Sequence, residues 1–223
     1  MELSTIKQKI YRKALGILQI KYDDVIKNEE NPAEIEYCED NIDTACASAM
    51  SGGDYFWLIS TIAFKDRLFD WIDSEGNIVT VTEETTDEEK ALLTQSYWTY
   101  HGCSYGYVCP TDLFRPFLGD GQYNFGYARK GKEIYFDREN PTLDYIINIT
   151  KKYDDDDFWS DMPPVFIDLI AGMLAVAIAP MVAPEGTFGQ TALTKMQTAA
   201  AACADLNNNA VRAYVPHPTE YLQ

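Results

Sequence analysis

His101, Cys103 and Cys109 lie within nine positions of one another and are the first residues whose types could share a ligand. Zinc takes four nitrogen or sulfur donors, usually with a close cysteine pair among them. The chain has no Cys-x-x-Cys, and its second histidine, His217, stands far away between two prolines. Zinc binding is one reading of the trio; thiols packed on strands as small hydrophobes is the other. The run Asp154-Asp155-Asp156-Asp157 offers hard oxygen ligands, but lacks the glycine and distal glutamate of a calcium loop. Its plain reading is a solvated loop whose last carboxylates favour the start of the next helix. Gly119-Asp120-Gly121 and Gly102 have neither the lysine nor the following helix of a phosphate loop, so they read as turns. With two histidines in the chain, a nucleophile, base and orienter are hard to assemble. An acid–base pair of carboxylates stays open, because nothing singles one out. Asn148-Ile149-Thr150 matches a glycosylation sequon by chance. No catalytic residue, metal or cofactor is expected.

Charge narrows the partners. The chain of 223 residues carries 18 lysines and arginines against 35 carboxylates, a net −17. Proteins that bind nucleic acid draw most of their affinity from cations neutralising phosphates, so specific binding is not expected. Docking on an anionic membrane surface is disfavoured for the same reason. The acidity suits solubility, basic partners, or a surface that DNA slides past. Hydrophobic content of 46% and this length suffice for a core without staples. Five widely spaced cysteines and a charged N-terminus without an apolar core segment predict reduced thiols and no secretory leader. Residues 165–183 are the one membrane candidate; Asp168, Gly172 and Pro180 within it favour a buried helix.

The elements that would position these residues follow from periodicity. Residues 4–21 and 33–50 space their apolar side chains as helices, with 23–32 as a polar connection. Residues 55–64, 68–72, 78–81, 105–108, 123–129, 133–137 and 143–150 read as strands, with Asp73-Ser74-Glu75-Gly76-Asn77 as a hairpin turn. Thr86-Asp87-Glu88-Glu89 has the form of a capping box. Two more helices close the order, at 163–179 and 187–213. The second contains Ala199-Ala200-Ala201-Ala202-Cys203-Ala204, a strongly helix-forming tract whose small side chains let another helix approach. That other helix is either 163–179 of the same chain or an element of a neighbouring subunit. Asn207-Asn208-Asn209 reads as a fraying or hinge point. The fold class predicted is α+β: a bundle of two N-terminal and two C-terminal helices, a small mostly antiparallel β block, and an extended C-terminal tail. The predicted domains are a ring-forming bundle from 1–54 and 151–213, a β-rich block at 55–150 with an insertion at 65–100, and a docking tail at 214–223.

Four stretches then carry a likeness. They are Ala14-Leu15-Gly16-Ile17-Leu18; Ala49-Met50-Ser51-Gly52-Gly53-Asp54-Tyr55-Phe56-Trp57; Val108-Cys109-Pro110-Thr111-Asp112-Leu113-Phe114-Arg115 with Arg129-Lys130-Gly131-Lys132-Glu133-Ile134-Tyr135-Phe136-Asp137; and Trp159-Ser160-Asp161-Met162-Pro163-Pro164-Val165-Phe166. In this order they resemble the tail tubular protein A family, the ring-shaped adaptors between portal and tail of short-tailed double-stranded DNA phages. The likeness rests on element order, spans about three quarters of the chain, and leaves out residues 65–100. It implies a virion protein at the head–tail junction, made in the host cytoplasm. It also implies a homo-oligomeric ring of twelve, bound by a portal protein and a downstream tail or nozzle protein, through which DNA is ejected.

On that basis the subunit interface is expected at 165–179 and 191–212, through Ile167, Ile170, Met173, Leu174, Leu193, Met196, Ala200 and Cys203. Portal docking is assigned to Tyr214, Pro216, His217, Pro218, Tyr221 and Leu222. Asp154, Asp155, Asp156 and Asp157 are expected to line the lumen, with Glu83, Glu84, Asp87, Glu88 and Glu89 as further lumen candidates. Two other classes compete: a small hydrolase or metal-dependent enzyme gathering carboxylates around His101, and an acidic binding module for a basic partner.

Overall fold

The computed structural model describes residues 4–28, 32–117, 126–184 and 188–213. Its chain divides into two compact units, Met1–Ile59 with Ile147–Gln223, and Ser60–Ile146. Seven α-helices and three small antiparallel sheets occur among the described residues. This corrects the expected two-plus-two bundle beside one β block: three helices stand at the N-terminal end, one in the middle and three at the C-terminal end.

The first unit is helical. α1 (Thr5–Ile17) buries Ile6, Ile10, Tyr11, Ala14 and Leu15 along one helical stripe. The chain does not run on as one helix to 21. Gln19 takes a left-handed φ of 62°, and a separate α2 (Tyr22–Asn28) begins with Asp23 and Asp24 in its first turn. Carboxylates there meet the positive end of the helix dipole, which a polar-connection reading overlooks. α3 (Ala33–Ser51) buries Cys38, Ile42, Ala45, Cys46, Ala49 and Met50. After a short helical turn at Phe56–Leu58, the chain leaves the unit. It returns through α5 (Asp156–Ser160), α6 (Pro164–Val182) and α7 (Phe188–Ala213). α6 is the hub and packs against α1, α3 and α7.

The second unit holds the strands. One sheet has the order β1 (Ile59–Ala63), β9 (Thr142–Ile147), β6 (Leu113–Pro116). A second has β3 (Ile78–Val79), β2 (Phe69–Ile72), β4 (Thr94–Tyr97). The third has β5 (Tyr105–Val108), β8 (Glu133–Phe136), β7 (Tyr127–Lys130). The four-residue α4 (Asp87–Lys90) carries the expected capping box: Thr86 accepts from the Glu89 amide, and the Glu89 carboxylate reaches back to the Thr86 amide at 2.9 Å. Asp73 closes the expected turn, accepting from the amides of Glu75 and Asn77.

Two of the sheets differ sharply in burial. β5–β8–β7 has Tyr107, Ile134, Tyr135 and Phe136 buried, with the Phe64 ring tilted against those of Tyr107 and Phe136. Gly106 stands across the ladder from Tyr135, and a Cβ there would come within 2.9 Å of that ring. No residue of β2, β3 or β4 is fully buried. Their ladder is held instead by Phe69 against Trp71 and Tyr97, and by the Trp98 indole donating to Asp70. Cross-strand aromatic pairs of this kind contribute roughly 0.2–1 kcal/mol each.

Candidate functional site

The α6–α7 hairpin was the expected assembly element, and its geometry divides the small-residue tract in two. Ala192, Ala199 and Cys203 are buried in α7. Their spacing of seven and four is one helical stripe. Opposite it in the hairpin, Gly172 of α6 sits so near Met196 that a Cβ would lie 2.9 Å from the Met196 Cα. The side chain that permits close approach is therefore missing from α6 rather than merely short in α7. A lone glycine inside an apolar helical run was the signal for it.

Of the expected interface residues, Ile167, Ile170, Leu174 and Cys203 are fully buried in the core of their own unit. Within the chain they are core positions, because α6 packs against α1, α3 and α7. Met173, Leu193, Met196 and Ala200 are half-buried at the margins. Burial raises the Cys203 thiol to about 11, with the Asp168 charge adding to the rise. Asp168 itself pairs with Lys13 at 2.5 Å, tying α6 to α1.

The face of α7 opposite the buried stripe is open. At helical spacing it presents Thr194, Gln197, Thr198, Ala201, Ala204, Asp205 and Asn208, all exposed. No side chain there exceeds glutamine in size, and Asp205 is the one charge. In a chain of net −17 this is a smooth, almost neutral strip running along a 26-residue helix. Asn207 is not the expected fraying point. Its side-chain oxygen accepts from the Phe56 amide at 2.9 Å, and its amide donates to the Asp54 carbonyl at 3.0 Å. Side-chain bonds to free backbone groups fix a helix in place rather than loosen it.

The aspartate run is built, not a loose loop. Asp155 caps α5, accepting from the Phe158 amide at 3.0 Å, and lies 3.6 Å from the Lys152 ammonium. Asp154, Asp156 and Asp157 are exposed, and Asp155 is half-buried. Tyr153 anchors the run from behind, its hydroxyl 2.8 Å from Asp43 and 3.4 Å from the Cys46 sulfur. Lys7 lies over the Tyr153 ring and pairs with Glu39 at 2.7 Å. Tyr11 is buried beside Glu39; burial first, then that carboxylate, push its phenol far above the ordinary range. Sequence reasoning missed this network. Glu39, Asp43 and Cys46 stand at steps of four and three on one face of α3, and Lys7 and Tyr11 at a step of four on α1.

His101 stands at the tip of a tight turn. His101 and Gly102 both have positive φ, 50° and 82°, between the bridged pair Tyr100 and Cys103. Such a turn suits the twist of a two-strand ribbon. The imidazole is exposed against the Tyr100 ring at 4.2 Å, whereas Cys103 and Cys109 are buried. No group of three His, Cys, Asp or Glu side chains with metal-holding geometry occurs among the described residues. Burial raises both thiols; Asp137 adds to the rise at Cys103, and Arg129 opposes it at Cys109. An open apolar groove lies at the turn of the hairpin, between Leu18, Ile20, Val182 and Phe188.

Pro164–Val182 is long and apolar enough to cross a membrane by length and composition; more than half of it is buried against its own unit. Tyr214, Pro216, His217, Pro218, Tyr221, Leu222 and the Gly119-Asp120-Gly121 turn lie outside the described residues. No protein-family model and no curated protein matches this chain.

Proposed function

We propose that the protein is a structural, non-enzymatic virion component: a ring-forming head-to-tail adaptor of a short-tailed double-stranded DNA phage. The observation that carries this reading is the exposed, low-bulk, nearly uncharged face of α7. Copies that each bear −17 repel one another, so side-by-side contact is easiest where the surface carries neither charge nor bulk. A different patch of the neighbouring copy would receive that face, and a repeated rotation then closes a ring. The family resemblance adds the portal on one side, a tail or nozzle protein on the other, and the 214–223 segment as the portal contact. A ring of twelve would carry a formal charge of about −204, which keeps a passing duplex from adhering to the conduit.

Light scattering on the size-fractionated protein tests the reading. The expected particle, alone or with portal added, is about twelve times 25.3 kDa. Ala201→Arg places a long charged side chain on the exposed strip. It should return the mass toward one chain while the melting temperature holds, because exposed substitutions change stability by about 0.5 kcal/mol or less. A wild-type protein that stays monomeric at high concentration with portal present would overturn the proposal.

A further inference from the structure

β7 is the terminal strand of its sheet among the described residues, so its outer side presents unpaired backbone groups. Three of the chain's 18 lysines and arginines cluster on it and on the adjoining turn: Arg129, Lys130 and Lys132. None of the three forms an ion pair with a described residue. Arg129 donates to the Gly131 carbonyl at 3.3 Å, Lys130 lies 5.7 Å from the centre of the Tyr100 ring, and Lys132 is exposed. Glu133, which faces Lys130 across the ladder, already accepts from the Tyr135 hydroxyl at 2.6 Å. A bare cationic edge of this kind is unusual on so acidic a chain.

The same unit carries the complement. Glu83, Glu84 and Glu88 are exposed and pair with no cation among the described residues, and Asp87 lies 4.0 Å from Lys90. The segment is held in shape by Thr85 accepting from the Thr82 amide and by the Thr86–Glu89 capping box. It is therefore ordered before any partner arrives, which lowers the cost of docking. Among the described residues it makes no ion pair with Arg129, Lys130 or Lys132. The 83–88 segment joins β3 to β4, and that sheet meets the third one at β5, where the Leu68 amide donates to the Gly106 carbonyl. β7 is the opposite edge of the third sheet.

We infer that the basic β7 edge of one copy docks the acidic 83–88 segment of a second copy. The contact joins unlike patches on like chains, so it propagates in one direction. It rests on the self-assembly proposed above, and adds to it a salt-sensitive contact made by the strand-bearing unit.

Zero-length carbodiimide cross-linking of an equal mixture of ordinary and heavy-isotope-labelled full-length protein tests it. The expected product is a mixed-isotope peptide pair joining Lys130 or Lys132 to Glu83, Glu84 or Glu88. Its yield should fall with added salt, since the Debye length shrinks to about 3 Å at 1 M. Lys130→Glu with Lys132→Glu removes both reacting amines and should abolish that link, whereas Arg129→Glu keeps them and should lower its yield about ten-fold, which is roughly 1.4 kcal/mol. Glu84→Lys with Glu88→Lys should do the same, and mixing the two variants should restore the link, because each edge then finds an opposite charge. Links confined to one isotope overturn the inference. Full rings by light scattering without the mixed link overturn it and leave the adaptor proposal standing. The mixed link in particles that never exceed short open chains supports it and removes the ring. Loss of the link together with salt-dependent binding of a DNA duplex that the Lys130→Glu, Lys132→Glu variant abolishes overturns it in favour of nucleic acid.

Discussion

At the scale of single residues, burial without charge is the recurring feature. Cys38 and Cys46 are pushed up to about 12 and Cys203 to about 11, in each case chiefly by burial. At Cys46 the Tyr153 hydroxyl works against that rise, whereas the nearby Asp43 charge adds to it. A thiol whose folded pKa exceeds its unfolded value of 9.0 stabilises the fold fully below pH 9. The unfolded chain ionises first as pH rises, so that stability is lost progressively up to about pH 11–12. The urea midpoint should therefore be flat from pH 7 to about 8.5 and fall steeply beyond. A midpoint unchanged at pH 11 would contradict this burial. Iodoacetamide at neutral pH should label none of these three thiols in the native state, because the thiolate is the reactive form. Asn207 belongs to the same scale. Asn207→Ala removes two hydrogen bonds to backbone groups of 54–56 and should cost about 1–3 kcal/mol. Faster amide exchange at Phe56 in the variant would report it.

At the scale of elements, the α6–α7 hairpin depends on one absent methyl group. Gly172→Ala forces the two helix axes apart at Met196, and overpacking of this kind costs about 1–3 kcal/mol. It should lower the melting temperature, and adding Met196→Ala should not recover the loss, because the new methyl meets the Met196 Cα, Cβ and backbone nitrogen, which alanine keeps; an unchanged melting temperature would refute the close approach. Helices were legible where their periodicity was unbroken. α3 and α7 fall within a residue of their expected bounds, and the Thr86 capping box formed as its sequence suggests. α6 continues through Pro180 to Val182, past its expected end at 179. Strand grouping was not legible. β4 reads Thr-Gln-Ser-Tyr with every position exposed, so no apolar alternation announced it. Tyr55 to Phe64 looked like one strand because aromatic residues favour strands, yet Phe56–Leu58 turns helically and only Ile59–Ala63 is extended. The candidate surface was half legible: composition marked the small tract of α7, but which stripe faces inward depends on where Gly172 lies, and that is tertiary.

At the scale of the whole molecule, charge and connectivity matter most. Self-association of a −17 chain has to work against its own repulsion, so ring formation should be weakest at very low salt. High salt screens that repulsion while it also weakens the β7 contact. Particle mass measured against ionic strength should therefore pass through a maximum; a monotonic rise would mean that neutral helix packing alone holds the copies together. Connectivity has a further effect. The strand that leaves the helical unit, β1, and the strand that comes back, β9, are hydrogen-bonded neighbours, and Thr61 donates to Asp144 across them. Departure and return thus share one doorway, about 5 Å wide. Everything hung beyond it behaves as a cassette: it could be exchanged for another, or replaced by a short peptide bridge, without parting the helices that flank the opening. The same arrangement delays the ribosome's product. The first three helices wait, with their apolar stripes uncovered, until the last two have been synthesised.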